Sequence, residues 1–388
     1  MSNPRIAGTG LTSFGAHEGR SGRDLFAEAG LNALQDAGVS PENVDEVYYG
    51  NFIGTLAEAQ GHQGPMAAEA IGVTAPTRRV EEACASSGLA VYDAVRAIEG
   101  GQIDVAVVGG MERMTNMGTA AVTGALATAA DALYESAAGV TFPGAYALIA
   151  RAYFDAYGGT RTDLAHVAVK NHANATTNPH AHLRREISVD DVLGAPTVAN
   201  PLGLYDACPI SDGAAALVLT SESFARRHRL EASVAITGAG AGSDRLALQD
   251  RASLTETPAT ESAARTAYTD AGIGPADVDL AEVHDCFTIA EVLALEALGF
   301  ADHGQGISIA RTGETTNDGR LPINLSGGLK AKGHPVGATG AAQVVAVARL
   351  LDGTHPNASD VPDATIGLAH NAGGTVATAA VHILEVVE

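Results

Sequence analysis

LNALQDAGVSPENVDEVYYGN, residues Leu31–Asn51, and RTAYTDAGIGPADVDLAEVHD, residues Arg265–Asp285, align without a gap, and this internal repeat decides the fold. Asp36, Ala37, Gly38, Pro41, Val44 and Asp45 recur as Asp270, Ala271, Gly272, Pro275, Val278 and Asp279. Each copy reads as a helix ended by glycine, a turn opened by proline, and then a strand. RIAGTG from Arg5 and AITGAG from Ala235 lie ahead of the two copies. Behind them come two glycine-opened helices, SSGLAVYDAVRAI from Ser86 and ATGAAQVVAVARL from Ala338. Each helix runs into a strand that ends in two glycines, VAVVGG from Val105 and IGLAHNAGG from Ile366. Strands that alternate with helices in this order predict an α/β protein of two similar halves, with mostly parallel sheets covered by helices.

Residues 111–200 depart from this pattern, with no strand alternation and with polar clusters such as NHANATTNPHAHLRRE from Asn171. This stretch reads as a loop domain inserted in the first half. AAALVLT from Ala214 then reads as a buried strand returning to that half. The expected division is therefore residues 1–230 with the insertion at about 111–200, followed by residues 231–388.

Composition narrows the partners. The chain has 388 residues, 46% of them hydrophobic, enough to bury a large core and to rule out disorder as the main state. Its 45 acidic residues against 23 basic ones leave a formal charge of −22, which repels a phosphate backbone, so nucleic acid is excluded as a partner. Only Lys170, Lys330 and Lys332 are lysines, and an acidic, lysine-poor chain points to a halophilic host where salt screens self-repulsion. The longest charge-free stretch, Met114–Ala130, is alanine, glycine and threonine rather than a leucine-rich span, so no membrane crossing is expected. The N-terminal MSNPRIAGTG has no signal-peptide pattern and the C-terminal VHILEVVE no lipidation or peroxisomal signal, which implies a cytoplasmic location. Three cysteines without CxxC spacing argue against both a disulfide framework and a structural zinc site.

Reactive thiols are then the candidates. Cys84, in EEACASSGLAVYDAVRAI, precedes an apolar-periodic helix, where the macrodipole favours a thiolate; a small buried hydrophobe is the competing reading of the same residue. NLSGGLKAKGHPVGATGAAQ, from Asn324, presents His334 from a rigid turn between glycine and proline, and its spacing matches neither common phosphate loop. His284 and Cys286 fall at the end of the repeat's strand and His370 and Asn371 at the end of another, where sites on parallel sheets gather. Two cysteines with two or three histidines there form a constellation for thiol acyl chemistry. His166, His172, His180 and His182 lack ligand spacing and read as a solvated loop, so no metal is expected. Cys208 reads as core packing, and Arg184 and Arg185 as a solvated pair rather than a phosphate clamp.

CASSG at Cys84, HDCF at His284, GHPVGATG at Gly333 and HNAGG at His370, in that order, resemble the thiolase superfamily, and the HDCF and HN variants resemble its sterol-carrier-protein-type and archaeal branch. KNHANATTNP at Lys170 and CPISDGAAA at Cys208 extend the resemblance over nearly the whole chain. It implies two βαβαβαββ halves in a layered αβαβα core with an inserted loop domain, assembled as dimers or tetramers. It implies Cys84 as the nucleophile that takes an acyl group from coenzyme A, with His334 activating it. The better-known thiolases carry NEAF and an acid/base cysteine where HDCF and HNAGG stand here, so Cys286 replaces the thiol missing at Asn371. His284 stands where an asparagine orients an oxyanion-hole water, and the N–H groups of Cys84 and Gly373 match a second oxyanion hole.

The implied reaction joins two acetyl-CoA, or acyl-CoA and acetyl-CoA, into a 3-ketoacyl-CoA and free CoA, reversibly. Coenzyme A thioesters are its substrates and no separate cofactor is called for. Archaeal relatives associate with a small OB-fold protein, which makes such a subunit an expected partner. Two rivals remain open at this level: another condensing enzyme such as a ketoacyl synthase or hydroxymethylglutaryl-CoA synthase, against which the second thiol argues, and a non-catalytic acyl-CoA-binding or scaffold protein, in which Cys84 and His334 would be free to drift.

Overall fold

The computed structural model describes residues 3–387. In chain order the first half lays down β1 (Arg5–Leu11), α1 (Gly22–Ala37), β2 (Glu46–Gly50), β3 (Thr77–Val80), α2 (Ser86–Glu99) and β4 (Val105–Glu112). The insertion supplies α3 (Phe142–Tyr157) and α4 (Arg161–Ala175), and β5 (Gly213–Thr220) closes the half. The second half follows with β6 (Val234–Ser243), α5 (Pro258–Ala271), β7 (Leu280–Glu282), α6 (Thr288–Ala297), α7 (Thr339–Leu351), β8 (Ile366–Gly373) and β9 (Thr378–Val386).

The repeat folds as its local chemistry dictates. α1 and α5 end on Gly38 and Gly272, both left-handed at φ 62° and 72°, where a side chain would be strained. A single turn opened by Pro41 or Pro275 then leads into β2 or β7. Asp45 and Asp279, one residue ahead of the strands, do the same work in each half. Asp45 Oδ2 accepts from the N–H groups of Asp104 and Val105 at 2.8 and 2.9 Å, and Asp279 Oδ2 from Thr365 and Ile366 at 2.8 and 2.9 Å. The repeated aspartate thus starts the neighbouring strand.

The glycines of RIAGTG and AITGAG admit helices against strands. A Cβ on Gly10 would lie 1.9 Å from the carbonyl oxygen of Ala29 in α1, and one on Gly240 1.9 Å from that of Ala263 in α5.

Nine strands run in the order β3-β2-β4-β5-β1-β6-β9-β8-β7. The halves meet where β1 pairs with β6 through Arg5↔Ala235 and Ile6↔Val234. The place of β3 in the second half is held by a single bridge, Ala281↔Ile323. The expectation of mostly parallel sheets is corrected: β2–β3, β2–β4 and β7–β8 are parallel, and the other five pairs are antiparallel. β9 returns from β8 through a tight hairpin, a connection that only antiparallel neighbours can share.

Five layers result. α2 and α7 lie between the two half-sheets, burying Val91, Val95 and Ile98 with Val344, Val347 and Leu351. α1 covers one outer face through Leu25, Phe26, Ala29 and Ala33, and α5 and α6 the other through Ala259, Ala263, Ala267 and Leu295. The αβαβα core implied by the family resemblance is therefore present. The insertion read as a loop domain is largely helical, and its polar cluster begins in the last turns of α4, with Asn171 and His172 fully buried, and continues as a loop beyond Ala175. Among the described residues no helix is long and apolar enough to cross a membrane.

Candidate active site

The N-termini of α2 and α7 meet at the centre of the molecule, and Ser86, Ser87 and Gly88 of CASSG serve that meeting. Ala83 adopts φ 49°, a left-handed turn that costs of order 1 kcal/mol or more in a residue with a side chain. The Ser86 hydroxyl over-determines it, donating to Ala83 O at 2.6 Å and accepting from the Glu82 N–H at 3.0 Å. Ser87 Oγ accepts from the Ala341 N–H at 3.0 Å and so joins α2 to the start of α7. A Cβ on Gly88 would lie 2.6 Å from Asn371 Oδ1, and one on Gly340 of GATG 2.4 Å from the same atom, so both glycines make room for Asn371.

Cys84 projects from this turn into a cavity of about 350 Å³ whose lining includes Phe52, Met114, Tyr146, Cys208, Cys286 and His334. Its sulfur and one ring nitrogen from each of His284 and His334 all lie within 4.8 Å of one another. The two imidazoles meet edge to face at 84°, with centroids 5.1 Å apart. Four sequence segments distant along the chain thus converge on one point.

Hydrogen bonding sets the two imidazoles to opposite tautomers. The single proton of Thr339 Oγ1 goes to Pro335 O at 2.9 Å, so at 2.7 Å this hydroxyl accepts from His334 Nδ1–H, and His334 Nε2 is left with a free lone pair. Asn371 Nδ2 can only donate, and at 3.1 Å it donates to His284 Nδ1, so His284 Nε2 carries the proton. Among the described residues neither Nε2 has a hydrogen-bond partner. Burial, reinforced by the charge of Lys332, holds His334 down at about 3, and burial with the neighbouring histidines holds His284 well below the ordinary imidazole value. His334 is therefore built as an acceptor and His284 as a donor. His370, by contrast, lies behind the site: its Nδ1 accepts from the His284 backbone N–H at 3.4 Å and its Nε2–H donates to Thr260 Oγ1 at 3.0 Å.

The expected resting thiolate at Cys84 is corrected. Burial pushes its thiol up to about 12, opposed by the Gly374 N–H at the sulfur. An apolar cavity wall outweighs two helix turns of dipole when no cation faces the sulfur. Burial also raises Cys286 far above the ordinary thiol value, with Cys208 and Cys84 adding to it and the Tyr146 hydroxyl opposing. Tyr146 Oη itself donates to Gly374 O at 3.0 Å.

Of the residues expected from sequence, Cys84, His284, Cys286, His334 and Asn371 are brought together. Gly373 ends β8 paired with Thr378, and the next residue, Gly374, left-handed at φ 61°, lines the cavity beside Cys84 with its N–H toward the sulfur. β7 stops at Glu282, so His284 and Cys286 reach the cavity from the loop before α6 rather than from an extended strand. His334 is buried, not a solvated turn residue. Cys208 packs against the core as expected and also forms part of the cavity wall. The histidines read as a solvated loop are fully or partly buried: His172 Nδ1 bonds to Arg185 O at 3.1 Å and His182 Nδ1 to Ser211 Oγ at 2.9 Å.

Sequence reasoning missed a buried polar network beneath the site. Asp285 of HDCF accepts from the N–H groups of Leu329 at 2.6 Å and Lys330 at 3.3 Å and from Asn171 Nδ2 at 2.7 Å, tying the Cys286 loop to the loop that carries His334. Lys170 Nζ pairs with Glu291 at 3.1 Å and donates to Ile323 O at 2.8 Å. The available signal was that the chain's three lysines lie inside KNHANATTNP and GGLKAKGHP, and all three are buried. Tyr146, in an alanine-rich helix, carried no signal. Among the described residues, Cys84, His284 and His334 are also the one group of three side chains spaced to hold a metal ion. The Asn371 amide opposes that use, because it leaves a proton rather than a lone pair on His284 Nε2.

The model of the thiolase N-terminal domain matches residues 5–223, and that of the thiolase C-terminal domain matches residues 240–386. Acetyl-CoA acetyltransferase of Methanothermobacter thermautotrophicus is 44% identical over 384 residues, covering 99% of each chain. Acetyl-CoA acetyltransferase of Methanocaldococcus jannaschii is 38% identical over 394 residues, again covering 99% of each. The solved structure of an Ltp2-ChsH2(DUF35) aldolase superposes with a TM-score of 0.86 at 28% identity, covering 99% of this chain and 98% of that one.

Proposed function

The chain belongs to the thiolase family and is an acetyl-CoA C-acyltransferase by class, and from that premise we propose that it joins two acetyl groups through an acetyl thioester on Cys84. The observation that carries this reading is the meeting of the Cys84 sulfur with two imidazoles of opposite tautomer within 4.8 Å.

In the first half-reaction His334 Nε2 takes the Cys84 proton as the sulfur attacks the thioester carbonyl of acetyl-CoA. A neutral thiol beside a neutral base needs no charge in the resting cavity, and the thiolate forms only as it is consumed. The backbone N–H groups of Cys84 and Gly374 donate to the tetrahedral oxyanion, donors of a kind worth about 2.7–4 kcal/mol each. The CoA thiolate leaves without help and takes the Cys286 proton afterwards, so acetylation of Cys84 does not itself require Cys286. In the second half-reaction the Cys286 thiolate removes the α-proton of the second acetyl-CoA, and its raised basicity suits a carbon acid. His284 Nε2–H donates to the enolate oxygen. The carbanion attacks the acetyl-cysteine, and Cys84 leaves and recovers its proton from His334. Each proton returns to its owner, and thiolysis is the reverse path.

Residues 1–230 supply Cys84, residues 231–388 supply the two histidines, Cys286 and Gly374, and the insertion at about 111–200 roofs the cavity through Met114 and Tyr146. Coenzyme A thioesters are the substrates and no prosthetic group takes part. Association as a homodimer or tetramer is part of the reading. A small partner subunit is supported by the DUF35 protein named with the structural neighbour.

The test is to incubate the protein with acetyl-CoA, digest it, and locate the acetyl group by mass spectrometry. Acetylation of the Cys84 peptide is expected. A stable adduct on Cys208 with none on Cys84 overturns the assignment.

A further inference from the structure

The third thiol has no part in the proposed reaction, yet the backbone holds it against the second. Ala207 and Phe287 form an isolated antiparallel bridge, and the Cys208 N–H donates to Cys286 O at 3.0 Å. That bond, one of the two such a pair can exchange, sets Cys208 and Cys286 opposite one another next to the bridge. Residues so opposed stand about 5.5 Å apart at Cα, with their side chains on one face. A disulfide needs about 4.4–6.8 Å between Cα atoms. Both side chains line the cavity that holds Cys84, and Cys208 keeps partial exposure while Cys286 is buried.

We infer that Cys208 and Cys286 form an oxidation site at which a hydroperoxide converts the two thiols into a disulfide and takes the Cys286 thiol out of use. Cys208 is the thiol that meets the oxidant, because it is the more exposed of the two and Lys330 Nζ donates to Ala207 O beside it. The Lys330 charge favours the Cys208 thiolate against the burial that opposes it. The Cys208 sulfur attacks one peroxide oxygen, the O–O bond breaks, and hydroxide or alkoxide leaves and takes up the thiol's proton. The Cys286 sulfur then attacks the Cys208 sulfenic acid, the S–S bond forms, and water departs with the second proton. Two thiols have lost two electrons to the peroxide. A dithiol reverses the step by exchange.

The effect on turnover rests on the acid/base role proposed for Cys286, and the test separates the two. The full-length protein is treated with hydrogen peroxide, its remaining thiols are blocked with N-ethylmaleimide, and its peptides are mapped by mass spectrometry. The expected result is a linked Cys208–Cys286 peptide, lighter by two hydrogens than its parts, with Cys84 still alkylated and with linkage lost on adding dithiothreitol. Condensation should fall in step with linkage while single-turnover acetylation of Cys84 persists, and dithiothreitol should restore both the free thiols and condensation. In Cys208→Ser the linked peptide should vanish, and condensation lost to peroxide, measured against the untreated variant, should no longer return with dithiothreitol. Reversible loss in that variant, or oxidation of the wild-type chain confined to Cys84 with no linked peptide, overturns the pair. A linked pair in an enzyme that still condenses acetyl-CoA at the untreated rate confirms the oxidation site and removes Cys286 from the mechanism.

Discussion

Replacing Thr339 by valine tests the tautomer argument on which the base depends. The side chain keeps its shape and loses only the hydroxyl, which in the native protein passes its proton to Pro335 O at 2.9 Å and accepts His334 Nδ1–H at 2.7 Å. Valine leaves the buried Nδ1–H without an acceptor, at a cost of about 1–3 kcal/mol. The imidazole escapes that cost by turning or by moving its proton to Nε2, and either change removes the lone pair facing Cys84. A loss of about 1–3 kcal/mol in transition-state stabilisation slows acetylation of Cys84 by roughly 5- to 160-fold. The assay is single-turnover acetyl transfer from acetyl-CoA followed by mass spectrometry, with thermal melts confirming the fold. Thr339→Ser restores an acceptor in the same place and should recover most of the rate, which a loss of packing alone would not explain. A folded Thr339→Val protein that acetylates Cys84 at the native rate refutes the assignment of His334 Nε2 as the base.

Three further outcomes follow from the same structure. Cys286→Ala should still accept an acetyl group on Cys84 but lose condensation by about 10²- to 10⁴-fold in a steady-state acetoacetyl-CoA assay; native-rate condensation would return the acid/base role to a histidine. Stability should fall steeply as pH drops below about 6.5. Burial holds His334, His355 and His370 down at about 3 and His172 and His382 at about 4, so the unfolded chain binds protons that the native chain refuses. Each such group contributes up to about 1.4 kcal/mol per pH unit, and thermal melts between pH 7 and 4 at fixed salt, if flat, would show that these imidazoles titrate normally. The melting temperature should also rise with potassium chloride, because the net charge is −22 and the three lysines are all buried, leaving arginine as the long basic side chain of the surface; salt-independent melting would remove the halophilic reading.

Part of the site was legible because short-range chemistry wrote it. Cys84 beside a helix start, and His334 between Gly333 and Pro335, are local arrangements, and the structure keeps both. The charge state of Cys84 was not legible, because it depends on cavity walls drawn from Phe52, Met114 and Tyr146, far apart in the chain. Gly373 and Gly374 are adjacent glycines, and only the end of the β8–β9 pairing decides which N–H turns toward the sulfur. Cys208 and Cys286 are neighbours through one backbone hydrogen bond between loops 78 residues apart, a relation with no trace in spacing.

The amino-acid sequence by itself determined the elements and their duplication. Glycine at the helix ends, proline in the turns, and apolar spacing along α1 and α5 act over a few residues, so the repeat read from residues 31–51 and 265–285 folds alike in both halves. The tertiary structure alone decided strand direction, the helices of the insertion with the burial of Asn171 and His172, and the opposite tautomers of His284 and His334. Those depend on which partners meet across the core: β5 against β4, Asn171 against Asp285, Asn371 against His284, Thr339 against His334. Such pairings are chosen by burial and hydrogen-bond satisfaction among distant segments, and no local pattern encodes them.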